Sequence, residues 1–191
     1  MQNVISSSIA LHKEILANFE KIAVEKISAA ATLVSECFLS GHSLYLCGNG
    51  GSAADCQHIA GEFVGRFRKE RRALPAVSLS TDSSVLTCIA NDYSYDDIFK
   101  RQVEALVKPG DCLWAFSTSG TSPNIIAAAA LAKTRGAKVL AFTGKADSPL
   151  EQMADVCICA ASTVTSASQE IHILAYHIIC DLVEQTISER K

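Results

Sequence analysis

Short apolar segments alternate with longer amphipathic ones along most of the chain. Within the short segments the apolar residues run almost without interruption, which is typical of parallel strands buried on both faces. The pattern therefore predicts five strands, at residues 43–47, 76–79, 112–117, 138–143 and 156–160.

The longer segments between these strands show the spacing of amphipathic helices. They predict helices at 52–65, 83–107 in two pieces, 123–135, 148–154 and 166–189, preceded by two N-terminal helices within 3–40 that end at Gly41. Strands that alternate with helices favour an α/β fold, with a central five-stranded parallel sheet in a three-layer sandwich. We expect one domain over residues 1–191, with the N-terminal helices as oligomerisation elements.

Composition narrows the class of protein. The chain has 191 residues and a net charge of −3 without a basic stripe, so nucleic acid is not an expected partner. Its apolar runs are too short to span a bilayer, and its N-terminus does not resemble a signal peptide. The eight cysteines lie inside apolar runs without a CxxC pair, which favours buried thiols in a reducing cytosol over disulfides or thiolate-bound zinc. A 49% hydrophobic content suggests buried subunit contacts.

Two predicted strands end in loops suited to binding an anion. The first loop, Gly48-Asn49-Gly50-Gly51-Ser52, opens into a helix, and Ser52 with Asp55 matches a capping box. The second contains five hydroxyl residues before a helix, for which Ser122 fits the N-cap and Pro123 the first helical position. These five residues are Ser117, Thr118, Ser119, Thr121 and Ser122. Backbone N–H groups and hydroxyls at two helix N-termini predict a phosphate site, although either loop alone could be only a turn or a cap.

The type of phosphate ligand is constrained by what surrounds the first loop. Residues 48–53 match G-x-G-x-x-A, so a dinucleotide site is an alternative. The next acidic candidate, Asp82, lies about 30 residues beyond the loop instead of the usual ~20. A Walker loop requires a lysine after its glycines, and this loop has none. A hydroxyl-lined loop of this kind suits one phosphate monoester, and Arg66 could add a positive charge.

Two helices carry residues that could perform chemistry. His58 and Glu62 are spaced i, i+4, so they can act on one point as metal ligands or as an acid/base pair, with a solvated surface pair as the alternative. Their small apolar neighbours predict that this helix is well buried. The last helix carries four polar residues in an apolar stretch, and His177 is a candidate proton donor or acceptor near neutral pH. These four residues are Gln169, His172, Tyr176 and His177.

Several motifs, in the same order, resemble the phosphoheptose isomerases of the sugar-isomerase (SIS) domain group. They are "CGNGGSAAD-QH-A-E--GR", "TD-SVLT-IANDYSYDDIF-RQVEAL---GD", "STSGTSPN", "A-VLAFTGK" and "QEIH----H". The resemblance covers nearly the whole chain. It implies a flavodoxin-like SIS fold, a homotetramer, and the aldose–ketose isomerisation of sedoheptulose 7-phosphate to D-glycero-D-manno-heptose 7-phosphate.

The resemblance also implies roles for individual residues. Glu62 matches the family's catalytic base and His177 its acid partner. The matching zinc ligands are His58, Glu62, Gln169 and His177. Substrate contacts correspond to Asn49, Gly50, Gly51, Asn91 and Asp92, and the phosphate cradle to Ser52, Ser117, Thr118, Ser119 and Ser122.

One departure from the family lies before "QEIH", where this chain has Ala167-Ser168 in place of Arg-Ile or a similar pair. A non-catalytic SIS regulator that binds a protein such as a replication initiator is the alternative function, disfavoured because Glu62 and His177 are both kept.

Gln169 and His177 are about 12 Å apart along an unbroken helix, near the limit for sharing one ion. We therefore expect active sites close to or across subunit boundaries in a cytoplasmic homo-oligomer.

Overall fold

The computed structural model describes residues 2–189, and its centre is one parallel sheet of five strands in the order β2-β1-β3-β4-β5. The strands are β1 (Leu44–Cys47), β2 (Ala76–Ser78), β3 (Cys112–Ser117), β4 (Lys138–Thr143) and β5 (Val156–Cys159). In the register of the two central strands, Leu44 lies opposite Cys112 and Leu46 opposite Trp114. All five predicted strands are present, and each observed end lies within one residue of the expected one.

Within residues 2–189, seven α-helices connect and cover the strands. They are α1 (Gln2–Leu39), α2 (Gly51–Val64), α3 (Ser83–Asp92), α4 (Lys100–Leu106), α5 (Pro123–Thr134), α6 (Pro149–Met153) and α7 (Thr165–Glu189), with a short 3₁₀ helix at Tyr95–Asp97 between α3 and α4. The N-terminal segment is one helix and not the two predicted, because residues 2–39 contain no glycine or proline to interrupt it.

Alternate strand residues point to two separate cores. On one face, Trp114 and Phe116 of β3 and Phe142 of β4 pack beneath α1, α2 and α7. On the other, Leu113 and Ala115 of β3 pack against the helices from α3 to α6. The strands are therefore apolar on both sides, and the molecule is the three-layer sandwich that the sequence predicts.

The strand order places the functional loops. The chain leaves β1 towards β2 on one side, whereas β3, β4 and β5 extend the sheet on the other. The crevice beyond the carboxyl ends of β1 and β3 is the switch point at which open α/β sheets bind their ligands. Both predicted anion loops lie there, because they follow β1 and β3 directly.

Candidate active site

The first loop depends on glycines for its shape. A Cβ on Gly48 would lie 2.7 Å from the Ser52 carbonyl oxygen, and Gly50 has a φ of +56°. Helix α2 begins at Gly51 with Gly50 as its N-cap, and no side chain in the described part of the chain caps the helix. The capping box predicted for Ser52 and Asp55 is therefore wrong: both residues lie inside α2 and are buried. The uncapped N-terminus leaves backbone N–H groups available to a ligand.

Asn49 is held by two side chains that the sequence reasoning missed. Its amide exchanges hydrogen bonds with Asn124, the Asn49 Nδ2 donating over 3.0 Å and the Asn124 Nδ2 donating back over 2.9 Å. The Tyr95 hydroxyl donates to the same Asn49 oxygen over 3.0 Å. Asn124 is buried in the first turn of α5, so this amide pair ties the glycine loop to the second anion loop.

Hydroxyls converge in the second loop. Ser117 Oγ lies 2.9 Å from Ser122 Oγ and 3.3 Å from Ser119 Oγ. Ser122 is the N-cap of α5 and Pro123 follows it, as predicted, but the Ser122 hydroxyl bonds to Ser117 and makes no side-chain capping bond to the helix. Gly120 (φ +68°) packs directly on Ser148, so a side chain there would not fit. The loop thus gathers several hydroxyl groups beside a helix N-terminus.

A cluster of three residues joins α2 to α7. His58 Nε2 lies 2.9 Å from Glu62 Oε1, and the His177 ring centroid lies 5.0 Å from that of His58. Ligand atoms of His58, Glu62 and His177 all lie within 4.8 Å of one another. Burial first, and then the neighbouring His58, lower the pKa of His177, which favours a neutral ring at neutral pH.

Exposure within this cluster differs from the expectation of a well-buried helix. The His58 side chain is 49% exposed and that of Glu62 is 21% exposed. Only one face of α2 is covered, by α7 and the sheet, since Cys56, Ile59 and Phe63 pack into the core. The His58 ring therefore stands where a ligand can reach it.

Gln169 lies apart from the other three predicted zinc ligands. A Cβ on Gly51 would lie 2.5 Å from the Gln169 Nε2, so this side chain rests on the start of α2. Gly51 precedes His58 by seven residues, or about 10 Å along the helix. Within one chain, Gln169 faces the glycine loop while His177 faces His58.

Three further predicted residues make no hydrogen bond to the loops within residues 2–189. Asn91 and Asp92 end α3, where the Asn91 Nδ2 donates to the Asp92 Oδ1 over 2.8 Å. Arg66 follows the end of α2, with its guanidinium 3.6 Å from Glu70 and its side chain 66% exposed. All three side chains are available at the surface.

The start of α7 shows what the Ala167-Ser168 departure does. Both residues are buried, and the Ser168 hydroxyl donates to the Ser162 carbonyl over 3.1 Å. His172, also buried, lies with its Nε2 3.0 Å from the Thr143 carbonyl oxygen. Burial lowers the His172 pKa to about 4, although the bond to Thr143 opposes the shift, so this histidine is a neutral core residue.

A buried ion pair anchors the far end of α2. The Glu184 carboxylate accepts the backbone N–H groups of Phe67, Arg68 and Lys69 over 2.9, 2.7 and 2.7 Å. Arg71 lies 3.4 Å from it, and its Nη2 donates to the Glu62 carbonyl over 2.7 Å. Both side chains are 1% exposed. This network fixes the turn of α2 that carries Glu62 against α7.

Comparison with known proteins gives the family. Residues 9–144 match the model described as "SIS domain". A phosphoheptose isomerase of Roseiflexus sp. (strain RS-1) is 51% identical over 163 residues, which cover 85% of this chain and 83% of the relative. The chain belongs to the phosphoheptose isomerase family of SIS domain proteins.

Solved structures of this family match the three-layer fold. The phosphoheptose isomerase from Neisseria gonorrhoeae superimposes with a TM-score of 0.90 at 39% identity, over 96% of this chain and 98% of its own. The one from Francisella tularensis gives 0.92 at 31% identity with the same coverage. Within residues 2–189, no helix is both long enough and apolar enough to cross a membrane.

Proposed function

We propose that this protein converts sedoheptulose 7-phosphate to D-glycero-D-manno-heptose 7-phosphate, through an enediolate and towards bacterial heptose synthesis. The observation that carries the proposal is the placement of Glu62. Its carboxylate is oriented by His58, faces His177, and lies further along the helix that opens at the glycine loop. A phosphate held at the loop would place the sugar carbons further along α2, towards this carboxylate.

The reaction needs one base that moves a proton between neighbouring carbons. Glu62 takes a proton from C1 of the ketose and returns it to C2, while a second group moves the hydroxyl proton from O1 to O2. Only Oε1 of Glu62 is hydrogen-bonded to His58, and the other oxygen has no such bond among residues 2–189. His177, whose lowered pKa favours the neutral ring, fits the second group because it can accept a proton from one oxygen and donate it to the other.

The phosphate is assigned to the paired anion loops. Hydroxyls of Ser117, Ser119 and Ser122 lie within 3.3 Å of their neighbours and can turn towards phosphate oxygens. The start of α5 adds partial positive charge. Gln169 lies beside the glycine loop and is placed to contact the substrate, together with Asn49, Gly50 and Gly51.

Zinc fits the same cluster by the chemistry of its donor atoms. Imidazole nitrogen and carboxylate oxygen are ligands that Zn²⁺ takes in proteins, and His58, Glu62 and His177 bring them within 4.8 Å of one another. When bound, such an ion polarises the substrate oxygen on which charge develops. Gln169 would have to reach this point from its position beside Gly51, or from another subunit.

Turnover of the named substrate tests the proposal. Incubation with sedoheptulose 7-phosphate in ²H₂O, followed by NMR, should show the aldose product and deuterium at its C2. Glu62→Gln should lower kcat by about 10²–10⁴-fold, because the amide cannot take the proton. Glu104→Gln is the matched control, since that exposed residue pairs only with Arg101 among residues 2–189. Wild-type turnover by Glu62→Gln would contradict the role of this base.

We further infer that the protein assembles as a homo-oligomer, with a tetramer as the expected state. Helix α1 has 38 residues, so it is about 57 Å long, and its first turns expose apolar side chains. Val4 is 67% exposed, Ile5 56% and Ile9 52%. Burying such a stripe against a second copy is favourable. The sedimentation coefficient at micromolar concentration measures the state, and a fully active monomer would contradict the inference.

Subunit mixing tests whether a site is built from two chains. Glu62 and His177 lie together in one chain, so variants of these two should not complement each other. A Glu62→Gln chain co-assembled with a Ser119→Ala/Ser122→Ala chain is the informative mixture. The assay uses substrate far below the raised KM of the serine variant, where each variant alone is nearly inactive. Activity then returns only if the carboxylate and the hydroxyl loop of one site come from different subunits.

All eight cysteines are free thiols, which supports a reducing compartment such as the cytoplasm.

A further inference from the structure

Behind His58 lies a tyrosine that the reaction does not use directly. Tyr176 of α7 is 1% exposed, and its hydroxyl oxygen lies 3.0 Å from His58 Nδ1. The two rings meet edge to face, with centroids 5.6 Å apart and an interplanar angle of 76°. Since Tyr176 and His177 are consecutive, about 100° apart around α7, the helix places one residue behind His58 and the other beside it.

The two contacts of the His58 ring determine which nitrogen carries the proton. Nε2 lies 2.9 Å from Glu62 Oε1, and an ionised carboxylate only accepts hydrogen bonds, so Nε2 is the protonated nitrogen of the neutral ring. Nδ1 then has a lone pair and accepts the proton of the Tyr176 hydroxyl. A tyrosine hydroxyl can donate as well as accept a hydrogen bond, so Tyr176 can supply the proton of this contact.

We propose that Tyr176 is a positioning residue, whose hydroxyl holds the His58 ring so that Nε2 faces Glu62 and His177. The His58 side chain is 49% exposed, so solvent on its open side does not restrict its rotamer. Tyr176 is fixed in the core and supplies a rigid partner on the covered side. The proposal rests on the proposed function, because it assigns Tyr176 to the machinery of that same site.

A hydroxyl also suits binding of Zn²⁺ at this histidine. A ring that gives Nε2 to an ion carries its proton on Nδ1, and metal-bound histidines donate that proton to a neighbouring acceptor. The phenol can act as that acceptor as well as a donor. Its own proton then needs a partner, and we expect Asp55, one turn before His58, to supply it. The Asp55 Oδ2 is buried without a hydrogen-bond partner among the described residues.

Tyr176→Phe removes this hydroxyl and keeps the ring. In metal-free protein labelled with ¹⁵N-histidine, the wild type should show His58 protonated at Nε2 and hydrogen-bonded at Nδ1. The Nδ1 resonance should move towards that of a free lone pair in Tyr176→Phe. Competition with a chelator should show Zn²⁺ bound about 10–100-fold more weakly, the usual cost of losing such a partner. Tyr45→Phe is the matched control, because its hydroxyl donates to the Leu106 carbonyl away from the site.

Three results would overturn the proposal: a wild-type His58 protonated at Nδ1 in the metal-free protein, an Nδ1 resonance unchanged by Tyr176→Phe, or an unchanged Zn²⁺ affinity. The first needs no variant, so it decides the matter even if Tyr176→Phe fails to fold. None of these measurements needs substrate. A protein that does not isomerise the heptose phosphate, yet shows the expected change at Nδ1, would refute the proposed function and leave the positioning role standing.

Discussion

Glu184→Gln should destabilise the protein far more than a change of one atom suggests. One Glu184 oxygen accepts the Phe67 N–H, and the other accepts the N–H groups of Arg68 and Lys69. Whichever oxygen becomes the amide NH₂, at least one partly buried N–H loses its acceptor, and Arg71 loses its counter-charge. Removing one partner of a buried pair costs about 3–5 kcal/mol. That loss is a large share of a typical stability of about 5–15 kcal/mol.

The matched control is a second carboxylate on the same helix. Asp181 lies 2.7 Å from Arg68, whose side chain is 69% exposed, so this pair is screened by water. Asp181→Asn should therefore cost below about 1 kcal/mol. Urea unfolding of both variants at pH 7 and equal protomer concentration gives the two free energies.

The same two variants, assayed for turnover, also report on the active site. Arg71 donates to the Glu62 carbonyl, so losing its counter-charge should loosen the last turn of α2 and lower kcat in Glu184→Gln. Asp181→Asn should retain wild-type kcat. The reasoning is refuted if the two variants lose free energies of unfolding that agree within about 1 kcal/mol. Burial would then make no difference to what an ion pair contributes.

Three other predictions concern the loops and the core. Ser119→Ala/Ser122→Ala should raise KM for the sugar phosphate, since each hydrogen bond to a charged group contributes about 1.5–3 kcal/mol, and an unchanged KM would contradict the phosphate assignment. The pKa of His172 is about 4 in the folded protein and about 6.5 in the unfolded chain, so the unfolded state binds a proton first as the pH falls. Acidification from about pH 6.5 to 4 should therefore lower the free energy of unfolding by about 3 kcal/mol. In His172→Gln, the free energy of unfolding should depend less steeply on pH over this range. Gly120→Ala should lower Tm because of its φ of +68°, whereas Gly61→Ala, with open space around it in α2, should raise Tm; equal shifts would contradict this contrast.

Much of the fold is encoded locally. The apolar runs are long enough and uncharged enough that only buried parallel strands accommodate them, and helices between them require the layered architecture. The two anion loops were predictable for the same reason: glycine at 48 and 50, and hydroxyls with proline before α5, are demands of the local backbone. The i, i+4 spacing alone brought His58 to Glu62.

The sequence predicted helix boundaries less well where a segment fits two local structures about equally. Ser52 and Asp55 fit a capping box, yet the helix starts at Gly51, because the sharp turn after β1 puts Gly50 at the N-cap and carries Ser52 into the core. Residues 2–39 showed helical periodicity but no clear boundary, and the structure has one helix there. For α2 the preceding turn decided where the helix begins, and for α1 the absence of glycine and proline left it uninterrupted.

Contacts between α2 and α7 were decided by the tertiary structure alone. These helices are more than 100 residues apart in the chain, and the way they pack side by side brings His177 and Tyr176 to His58 and sets Gln169 against Gly51. It also aligns Glu184 with three backbone N–H groups beyond α2. Periodicity tells which face of a helix is covered but carries no information on how far one helix slides along another. That offset is settled by the packing of both helices on the same sheet.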